Sequence, residues 1–343
     1  MKVLAIESSC DETSASIVTD ESSSIDRRIL SNVINSQIQI HKKYGGVIPE
    51  FAARNHLQNI SDVINEALYL SNTNLDSIDV VCATAGPGLI GGLLVGLTTA
   101  KSIAMMKRKS FMGINHLEGH LLTTRLCFNV EFPYLLLLTS GGNFLFVEVF
   151  GIGKYKIIGE TLDDAAGESF DKVAKMLGLP YPGGPSIQNA SMYGDKDRFP
   201  YTIPLQKRDG CDISFSGIKT ATRIHIENLG ENITEQDKCD IAASFQNIVV
   251  RSILRQFSKA LNIMNQDIKN IVISGGVASN ITLRSEIKKM CEVKNLNFFA
   301  PPLNLCSDNA AMIGWTAIER IKSGYTFSDL NFSVKPKWSL DNI

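Results

Sequence analysis

The sequence of 343 residues lacks the features that mark several broad classes of protein. It has seven cysteines, an odd number, and no two of them form a Cys-x-x-Cys pair. A scattered, odd set of cysteines argues against a disulfide-stapled scaffold and for a reducing compartment. No uninterrupted apolar run is long enough to span a bilayer. We therefore expect a cytoplasmic protein with no membrane association.

The sequence also lacks an excess of charge of either sign. Its 34 lysines and arginines balance 35 aspartates and glutamates, which leaves a net charge of −1. Binding of nucleic acid through an overall positive surface is thereby excluded, so any such contact must use a local basic patch or a partner. The segment 1–6 has a single basic residue and is followed by Glu7. It predicts a strand that opens a domain rather than a signal peptide.

What the sequence does have is an alternation of short apolar runs with stretches of helical periodicity. Strands are predicted at residues 3–6, 14–18, 80–84, 133–139, 145–150 and 271–274. Helices are predicted at residues 51–70, 93–106, 245–261 and 310–322, and another helix ends at Leu177. The Pro- and Gly-rich stretch 180–185 predicts a rigid loop after that helix. The length suggests two domains or one large one.

His116 and His120 are two of only five histidines, and they stand four residues apart. On a helix this spacing puts both imidazoles on one face, one turn apart, close enough to share a metal ion. Imidazole nitrogen suits zinc, iron, copper or nickel, so the spacing alone does not choose the metal. Two surface histidines at helical spacing are the alternative interpretation.

Glu118 argues against a zinc protease. Such proteases place Glu directly after the first His, whereas Glu118 follows His116 by two positions and would face away from both rings on a helix. Farther along, Ser307 or Asp308 is predicted to cap the helix 310–322. Asp308 could instead be a carboxylate ligand that completes a site with the two histidines, and sequence spacing alone does not decide between these roles.

Two predicted strands end in Ser-Gly-Gly, at residues 140–142 and 274–276. Each glycine pair removes Cβ atoms where a ligand could approach the backbone, so the two units together suggest nucleotide-cradling loops. The glycine-rich turn 85–92 lacks the Lys-Ser/Thr ending of a P-loop, and we favour a packing role for it. The turn 7–13 offers hydroxyl and N–H groups to an anion, or is simply a solvated hairpin.

These motifs together resemble the family of tRNA adenosine threonylcarbamoyltransferases, once labelled O-sialoglycoprotein endopeptidases. The resemblance extends over nearly the whole chain, and the length is similar to that of the bacterial branch. The motifs that carry it are residues 7–13, 45–50, 85–88, 116–120, 140–142, 163–172, 181–185, 215–219, 274–276 and 308–309. Many motifs in one order are far more specific than any one of them.

The resemblance implies an α/β fold of the two-lobed, actin-like and sugar-kinase-like ATPase type, the ASKHA superfamily. We expect a first lobe from residues 1–125 plus 310–343, with a returning C-terminal helix, and a second lobe from residues 126–309. Ligand and metal would lie in the cleft between them. The reaction implied is transfer of threonylcarbamoyl from threonylcarbamoyl-AMP to the N6 amine of the adenosine 3′ of the anticodon, in tRNAs that read codons beginning with A.

The family's functional residues correspond to residues of this chain. The implied metal ligands are His116, His120 and Asp308, and the metal is iron(II), with zinc as the alternative. The implied substrate-binding residues are Leu138, Thr139, Ser140, Gly141, Gly142, Asp171, Gly184 and Asn280. The chain departs from the bacterial pattern at Asn143, where most bacterial members have His, and has Leu138 where the archaeal branch has a metal-binding Tyr.

The resemblance also implies partners: tRNA, an inactive paralogue of the same fold and a small P-loop ATPase. Lys207, Arg208 and Lys219 are candidate phosphate contacts, or solvated surface charges. A small-molecule kinase of the same superfold is the main alternative function, and it would leave the histidine pair without a role. A metalloprotease or a non-catalytic scaffold is the remaining alternative.

Overall fold

The computed structural model describes residues 1–21, 27–230 and 232–343. The chain forms two compact units. The first comprises Met1–Val130, Gly151–Tyr155 and Pro301–Ile343, and the second comprises Glu131–Phe150 and Lys156–Ala300. The first unit takes in residues 301–309, which the sequence led us to expect in the second lobe. A ligand and metal in a cleft between two lobes stays a prediction.

The elements alternate along the chain as expected for an α/β protein. The strands are β1 Lys2–Glu7, β2 Glu12–Thr19, β3 Ile29–Ser36, β4 Val80–Gly86, β5 Ser110–Asn115, β6 Tyr134–Thr139, β7 Phe144–Gly151, β8 Lys154–Glu160, β9 Asn270–Ser274 and β10 Asn297–Phe299. The helices are α1 Ile38–His41, α2 Pro49–Leu70, α3 Ile90–Lys107, α4 His116–Cys127, α5 Ala166–Met176, α6 Gly183–Ser191, α7 Ser216–Leu229, α8 Glu235–Ile263, α9 Ile281–Val293 and α10 Ala310–Lys322.

The first unit is built on a five-stranded sheet with the order β3-β2-β1-β4-β5. The strands β1, β4 and β5 are parallel, so their carboxyl ends meet at one edge of the sheet. That edge carries Glu7 at the end of β1, Gly86 at the end of β4 and Asn115 at the end of β5. Residues far apart in sequence are thereby brought side by side.

Helices cover the first sheet and bury its central strands. Val3 to Ile6 in β1 are fully buried. Leu4 and Ile6 pack in a core with α2 and α3. Gly314 of α10 packs so closely on the sheet that a Cβ there would lie 2.9 Å from Cγ2 of Val18. Gly119 of α4 is equally close to Ile313 of α10, where a Cβ would be 2.9 Å from Cδ1. The small residues therefore fix α4 and α10 tightly in place.

The residues after α10 run back over the carboxyl edge of the first sheet. Lys335 N–H donates to the carbonyl oxygen of Ala85 at 2.7 Å, and the Pro336 carbonyl oxygen accepts from Gly88 N–H at 3.2 Å. Trp338 is buried, and its carbonyl oxygen accepts a hydrogen bond from Asn115 Nδ2 at 3.1 Å. We call residues 325–343 the C-terminal strap, and it holds the glycine-rich turn after β4.

The second unit contains the sheet β10-β9-β6-β7-β8, in which β6, β9 and β10 are parallel and β7 is antiparallel to β6. Its core is rich in aromatic side chains: Phe144, Phe146, Phe170, Phe215, Phe245 and Phe257. The long helix α8 begins with a capping box formed by Thr234 and Asp237. In the described parts of both units, no helix is long and apolar enough to cross a membrane.

Two local predictions are wrong. The stretch 180–185 is not all loop, because α6 already begins at Gly183. Pro185 is compatible with a helix there, since the N–H groups of a first helical turn have no partner within the helix. The cap of α10 is also neither Ser307 nor Asp308. It is Asn309, whose side chain accepts from Met312 N–H at 3.1 Å.

Candidate metal centre

His116 and His120 project from the first turns of α4, directly after β5. Asn115 caps this helix, since its Oδ1 accepts hydrogen bonds from the N–H groups of Leu117 at 2.9 Å and Glu118 at 3.2 Å. The two imidazole centroids lie 4.8 Å apart, with the rings nearly perpendicular. Both side chains are buried, so they are not the surface pair of the alternative interpretation.

Asp308 supplies the third side chain of the centre. The segment that carries it is anchored by the next two residues, as Asn309 caps α10 and Ala310 N–H donates to Ser14 Oγ at 2.9 Å. Oδ1 of Asp308 lies 3.1 Å from Nε2 of His120 and 3.6 Å from Nε2 of His116. One ligand atom from each of the three residues lies within 4.8 Å of the others.

The donors fit a metal ion. Bonds of about 2.0–2.1 Å in a tetrahedral arrangement place ligand atoms about 3.3 Å apart. The two separations from Asp308 Oδ1 fall on either side of that value. Two imidazoles with one carboxylate also form the donor set of iron(II) sites that keep coordination positions open. A group of side chains able to hold a metal is therefore present, and it does not identify the metal.

Glu7 and Ser9 contact the other side of the His116 ring. Nδ1 of His116 lies 3.2 Å from Oε2 of Glu7 and 3.2 Å from Oγ of Ser9. Glu7 is fully buried, and its carboxylate also accepts from Ser9 N–H at 2.6 Å and from the Thr84 hydroxyl. Within the turn 7–13, Ser9 thus donates to the carboxylate that opens the turn and also contacts His116, so these groups have partners within the chain.

The ionisable groups of His116, Asp308 and Glu7 alter one another's pKa values. Burial opposes ionisation of all three groups, but mutual attraction outweighs it. Next to Asp308 and Glu7, the pKa of His116 rises to about 9. Next to His116 and His120, the pKa of Asp308 falls to about 2. The pKa of Glu7 is lowered by the charge and hydrogen bond of His116.

Glu118 faces away from both rings, as the helical spacing predicts. Its Oε2 accepts a hydrogen bond from Arg320 Nε at 2.6 Å, and its Oε1 accepts one from the Tyr155 hydroxyl at 2.7 Å. Burial raises the pKa of Glu118 despite the attraction of Arg320. Because both carboxylate oxygens of Glu118 accept hydrogen bonds inside the protein, Glu118 is not placed to act as the base of a peptidase. Its contacts therefore agree with its spacing from His116.

In the second unit, the two Ser-Gly-Gly loops follow neighbouring parallel strands. Leu138 of β6 pairs with Ser274 of β9, and a Cβ on Gly275 would lie 2.5 Å from the Thr139 carbonyl oxygen. A Cβ on Gly141, Gly142 or Gly276 would meet nothing within 4 Å. The side chains of Leu138 and Thr139 are buried in the sheet, so these two residues can offer a ligand only backbone groups.

Asp171, Gly184 and Asn280 lie on elements around the same strand ends. Ser140 O accepts from Gly167 N–H at 3.2 Å, which ties the first loop to the start of α5. Asp171, one turn farther along α5, accepts from Gly183 N–H at 2.6 Å, directly before Gly184. Asn280 caps α9 and donates from Nδ2 to Gln246 Oε1 at 2.8 Å. Their predicted role in binding substrate stays a prediction.

The three candidate phosphate contacts differ in their surroundings. Lys219 forms an ion pair with Asp164, which neutralises its charge within the second unit. Arg208 lies 3.4 Å from Asp212 and is exposed, as is Lys207. Their contact with phosphate also stays a prediction.

The chain matches the model of one protein family over residues 28–315, a family described as TsaD: tRNA N6-adenosine threonylcarbamoyltransferase. The chain belongs to this family. A tRNA N6-adenosine threonylcarbamoyltransferase of Rickettsia bellii is 49% identical over 100% of this chain and 99% of the relative. The protein of the same name from Paramagnetospirillum magneticum is 46% identical over 99% of this chain and 97% of the relative. The resemblance drawn from the motifs is confirmed, and the kinase and protease alternatives are not favoured.

Solved structures confirm the fold class. The phosphate- and nucleotide-bound form of full-length HypF superposes with a TM-score of 0.60 at 13% identity over 95% of this chain. The chain spans about half of HypF, covering 47% of it. Component A of (R)-2-hydroxyglutaryl-CoA dehydratase from Acidaminococcus fermentans gives a TM-score of 0.54 at 14% identity, covering 95% of this chain and 100% of that one. At such identities the likeness supports the α/β ASKHA fold and nothing finer.

Proposed function

We propose that this chain transfers the threonylcarbamoyl group from threonylcarbamoyl-AMP to the N6 amine of the adenosine 3′ of the anticodon, in tRNAs that read codons beginning with A. A C–N bond forms between the amine and the carbamoyl carbon, and the bond from that carbon to the phosphate oxygen breaks. AMP leaves, and the amine loses a proton. The reaction would take place in the cytoplasm, where tRNA is available.

The observation that carries the proposal is the convergence of His116 Nε2, His120 Nε2 and Asp308 Oδ1 in a member of this family. A kinase of the same superfold has no use for such a donor set. The presence of all three donor side chains also argues against a scaffold that has lost activity.

His116, His120 and Asp308 would hold iron(II), with zinc as the alternative. A divalent metal held there would supply a Lewis acid able to stabilise negative charge on the carbamoyl oxygen. The helix α4 places the two imidazoles one turn apart, with ring centroids separated by 4.8 Å.

The second unit would bind the adenylate part of the donor. The glycines at 141, 142 and 184 leave open space where a Cβ would otherwise stand, so a nucleoside could approach the backbone there. Asp171 would accept hydrogen bonds from the ribose hydroxyls. Leu138 to Ser140 would contribute through their backbone, while Asn280 would fix the start of α9 at the edge of the site.

The chain would act with partners. An inactive paralogue of the same fold and a small P-loop ATPase belong to the proposed system, and tRNA capture would be shared with them because the net charge of −1 gives this chain no general affinity for polyanions. Lys207 and Arg208 are the exposed cations that we propose as phosphate contacts on this chain.

The test is nucleoside mass spectrometry of tRNA from a bacterium depleted of its own transferase. One culture expresses the unmutated chain, a second the His116→Ala, His120→Ala double variant, and a third the matched control His225→Ala, which removes a histidine of the second unit. We expect threonylcarbamoyladenosine in the first and third cultures only. Modified adenosine in the second culture as well would reject the metal centre. If all three cultures lack modified adenosine, the reaction is repeated in vitro with purified partners of the same organism. Absence of the product there too would reject the transferase.

A further inference from the structure

Glu7 is a buried carboxylate in contact with His116, a proposed metal ligand. It lies at the carboxyl end of β1 with none of its side chain exposed. Its carboxylate accepts hydrogen bonds from Ser9 N–H and the Thr84 hydroxyl, and lies 3.2 Å from Nδ1 of His116. No lysine or arginine of the described residues forms an ion pair with it. A buried carboxylate with no permanent cation beside it requires an explanation.

We infer that Glu7 is a positioning residue of the metal centre, which holds His116 in the tautomer that presents Nε2 to the metal. The inference rests on the proposed metal site and extends it to a residue outside the ligand set. Metal-binding histidines usually donate their second ring N–H to a carboxylate or carbonyl, which fixes the orientation of the ring. Glu7 stands where such an acceptor is needed.

The tautomer follows from the chemistry of the contact. A neutral imidazole carries one proton, on either Nδ1 or Nε2, whereas a carboxylate can only accept a hydrogen bond. Nδ1 also lies 3.2 Å from the Ser9 hydroxyl, which can donate or accept, so the acceptor-only Glu7 is the neighbour that distinguishes the tautomers. A proton on Nε2 would leave the Nδ1 lone pair facing the lone pairs of Glu7 at 3.2 Å. A proton on Nδ1 removes this repulsion and leaves Nε2, the atom 3.6 Å from Asp308, free to bind a cation.

A purely structural role for Glu7 makes different predictions. Its bonds to Ser9 and Thr84 could simply hold the turn after β1, in which case its loss would weaken the fold whether or not His116 is present. The two roles separate in a double-mutant cycle, because residues that act on one another show non-additive effects.

The experiment measures zinc affinity by competition with a chelator, for the unmutated chain, Glu7→Gln, His116→Ala and the double variant. Glu7→Gln should weaken binding by about 10- to 100-fold, and should have no further effect when His116 is absent. The matched control is Glu148→Gln, which alters an equally buried carboxylate in the second unit, where it accepts from Asn265 N–H. Its zinc affinity should equal that of the unmutated chain.

An equal affinity in Glu7→Gln, or an equal loss with and without His116, would overturn the inference and leave the transferase proposal standing. Zinc binding that is indifferent to His116→Ala and Asp308→Asn would instead overturn the metal site itself. Should Glu7→Gln fail to fold, imidazole nitrogen NMR on the unmutated, zinc-loaded chain decides the matter. Zinc on Nε2 with the proton on Nδ1 supports the inference, and the reverse arrangement rejects it.

Discussion

Oε2 of Glu118 lies 2.6 Å from Nε of Arg320, and this buried ion pair joins the helix that carries both histidines to the helix that follows Asp308. The proposed ligands are thus distributed over two elements, α4 and the segment before α10. Gly119 lets the two helices approach closely, and the ion pair fixes one against the other beside that contact. Glu118, the middle residue of His-x-Glu-Gly-His, therefore helps to position the histidines of α4 although its side chain faces away from them.

Glu118→Gln should destabilise the first unit substantially. The change preserves the shape of the side chain but leaves the Arg320 guanidinium buried without a counter-charge, and breaking a buried pair in this way costs about 3–5 kcal/mol. Urea denaturation of the purified protein measures the loss. An exposed pair such as Glu50 and Arg54 gives the control, since Glu50→Gln should change stability by less than about 1 kcal/mol. Equal stabilities of the two variants would refute this role for Glu118.

Asp308→Asn should abolish stoichiometric metal binding and leave the fold intact. The amide keeps the size of the side chain but removes the anionic donor, while the cap of α10 is formed by Asn309 and is not altered. Metal content after reconstitution with iron(II) or zinc measures the effect, and thermal denaturation checks the fold. Asp329→Asn, which alters an aspartate of the C-terminal strap, is the matched control. Full metal content in Asp308→Asn would contradict the proposed ligand set.

Substitution by alanine should lower the stability of the protein at Gly275 but not at the neighbouring Gly276. Gly275 has φ +94° and a Cβ there would lie 2.5 Å from the Thr139 carbonyl oxygen, so Gly275→Ala must displace the first loop and strain the backbone. Gly276 has neither a positive φ nor a neighbour within 4 Å, so Gly276→Ala should fold as the unmutated chain does. Thermal denaturation compares the two. A Gly275→Ala protein as stable as Gly276→Ala would show that the loops are not packed as described.

Acid should weaken the second unit in part through Asp237. Hydrogen bonds from the Thr234 hydroxyl and N–H, together with Arg198, hold the pKa of this carboxyl at about 2, below its ordinary 3.8. Since the folded pKa is depressed, the stabilisation is complete above about pH 4 and is lost as the pH falls towards 2. Melting temperatures recorded from pH 6 downwards should therefore fall less steeply for Asp237→Asn than for the unmutated chain.

The control for that titration is Asp209→Asn, which alters an exposed aspartate of the same unit. Its pH profile should follow that of the unmutated chain. Identical slopes for Asp237→Asn and the unmutated chain would mean that the capping box does not contribute to acid stability.

The sequence predicted the candidate group of His116, His120 and Asp308, which the structure brings together, but not what surrounds it. Four-residue spacing is a property of one helix, so the shared face of His116 and His120 could be inferred without a fold. Glu7 meets His116 only because β1, β4 and β5 lie side by side, a strand order that no local pattern encodes. For the same reason the sequence did not show that Ser9, in the polar turn after β1, contacts His116, which lies 107 residues away.

Helix boundaries show a second limit of prediction. The Pro-Gly-Gly-Pro stretch carries strong breaking signals, yet α6 begins within it because a first turn tolerates proline. At α10 both Asp308 and Asn309 are good capping residues. Asn309 takes that position, while the Asp308 carboxylate faces the imidazoles of His116 and His120. Only the tertiary structure shows which of two adjacent side chains is available for a ligand.

The hydrogen bond between Asn115 and Trp338 has a consequence for biosynthesis. The two residues are 223 positions apart, and Trp338 lies on the C-terminal strap. During translation, the two histidines leave the ribosome long before the carbonyl group that holds the cap of their helix has been made. The hydrogen bond that holds the side chain of this cap residue can therefore form only after residue 338 has emerged, so the N-terminus of α4 gains its last contact at the end of synthesis.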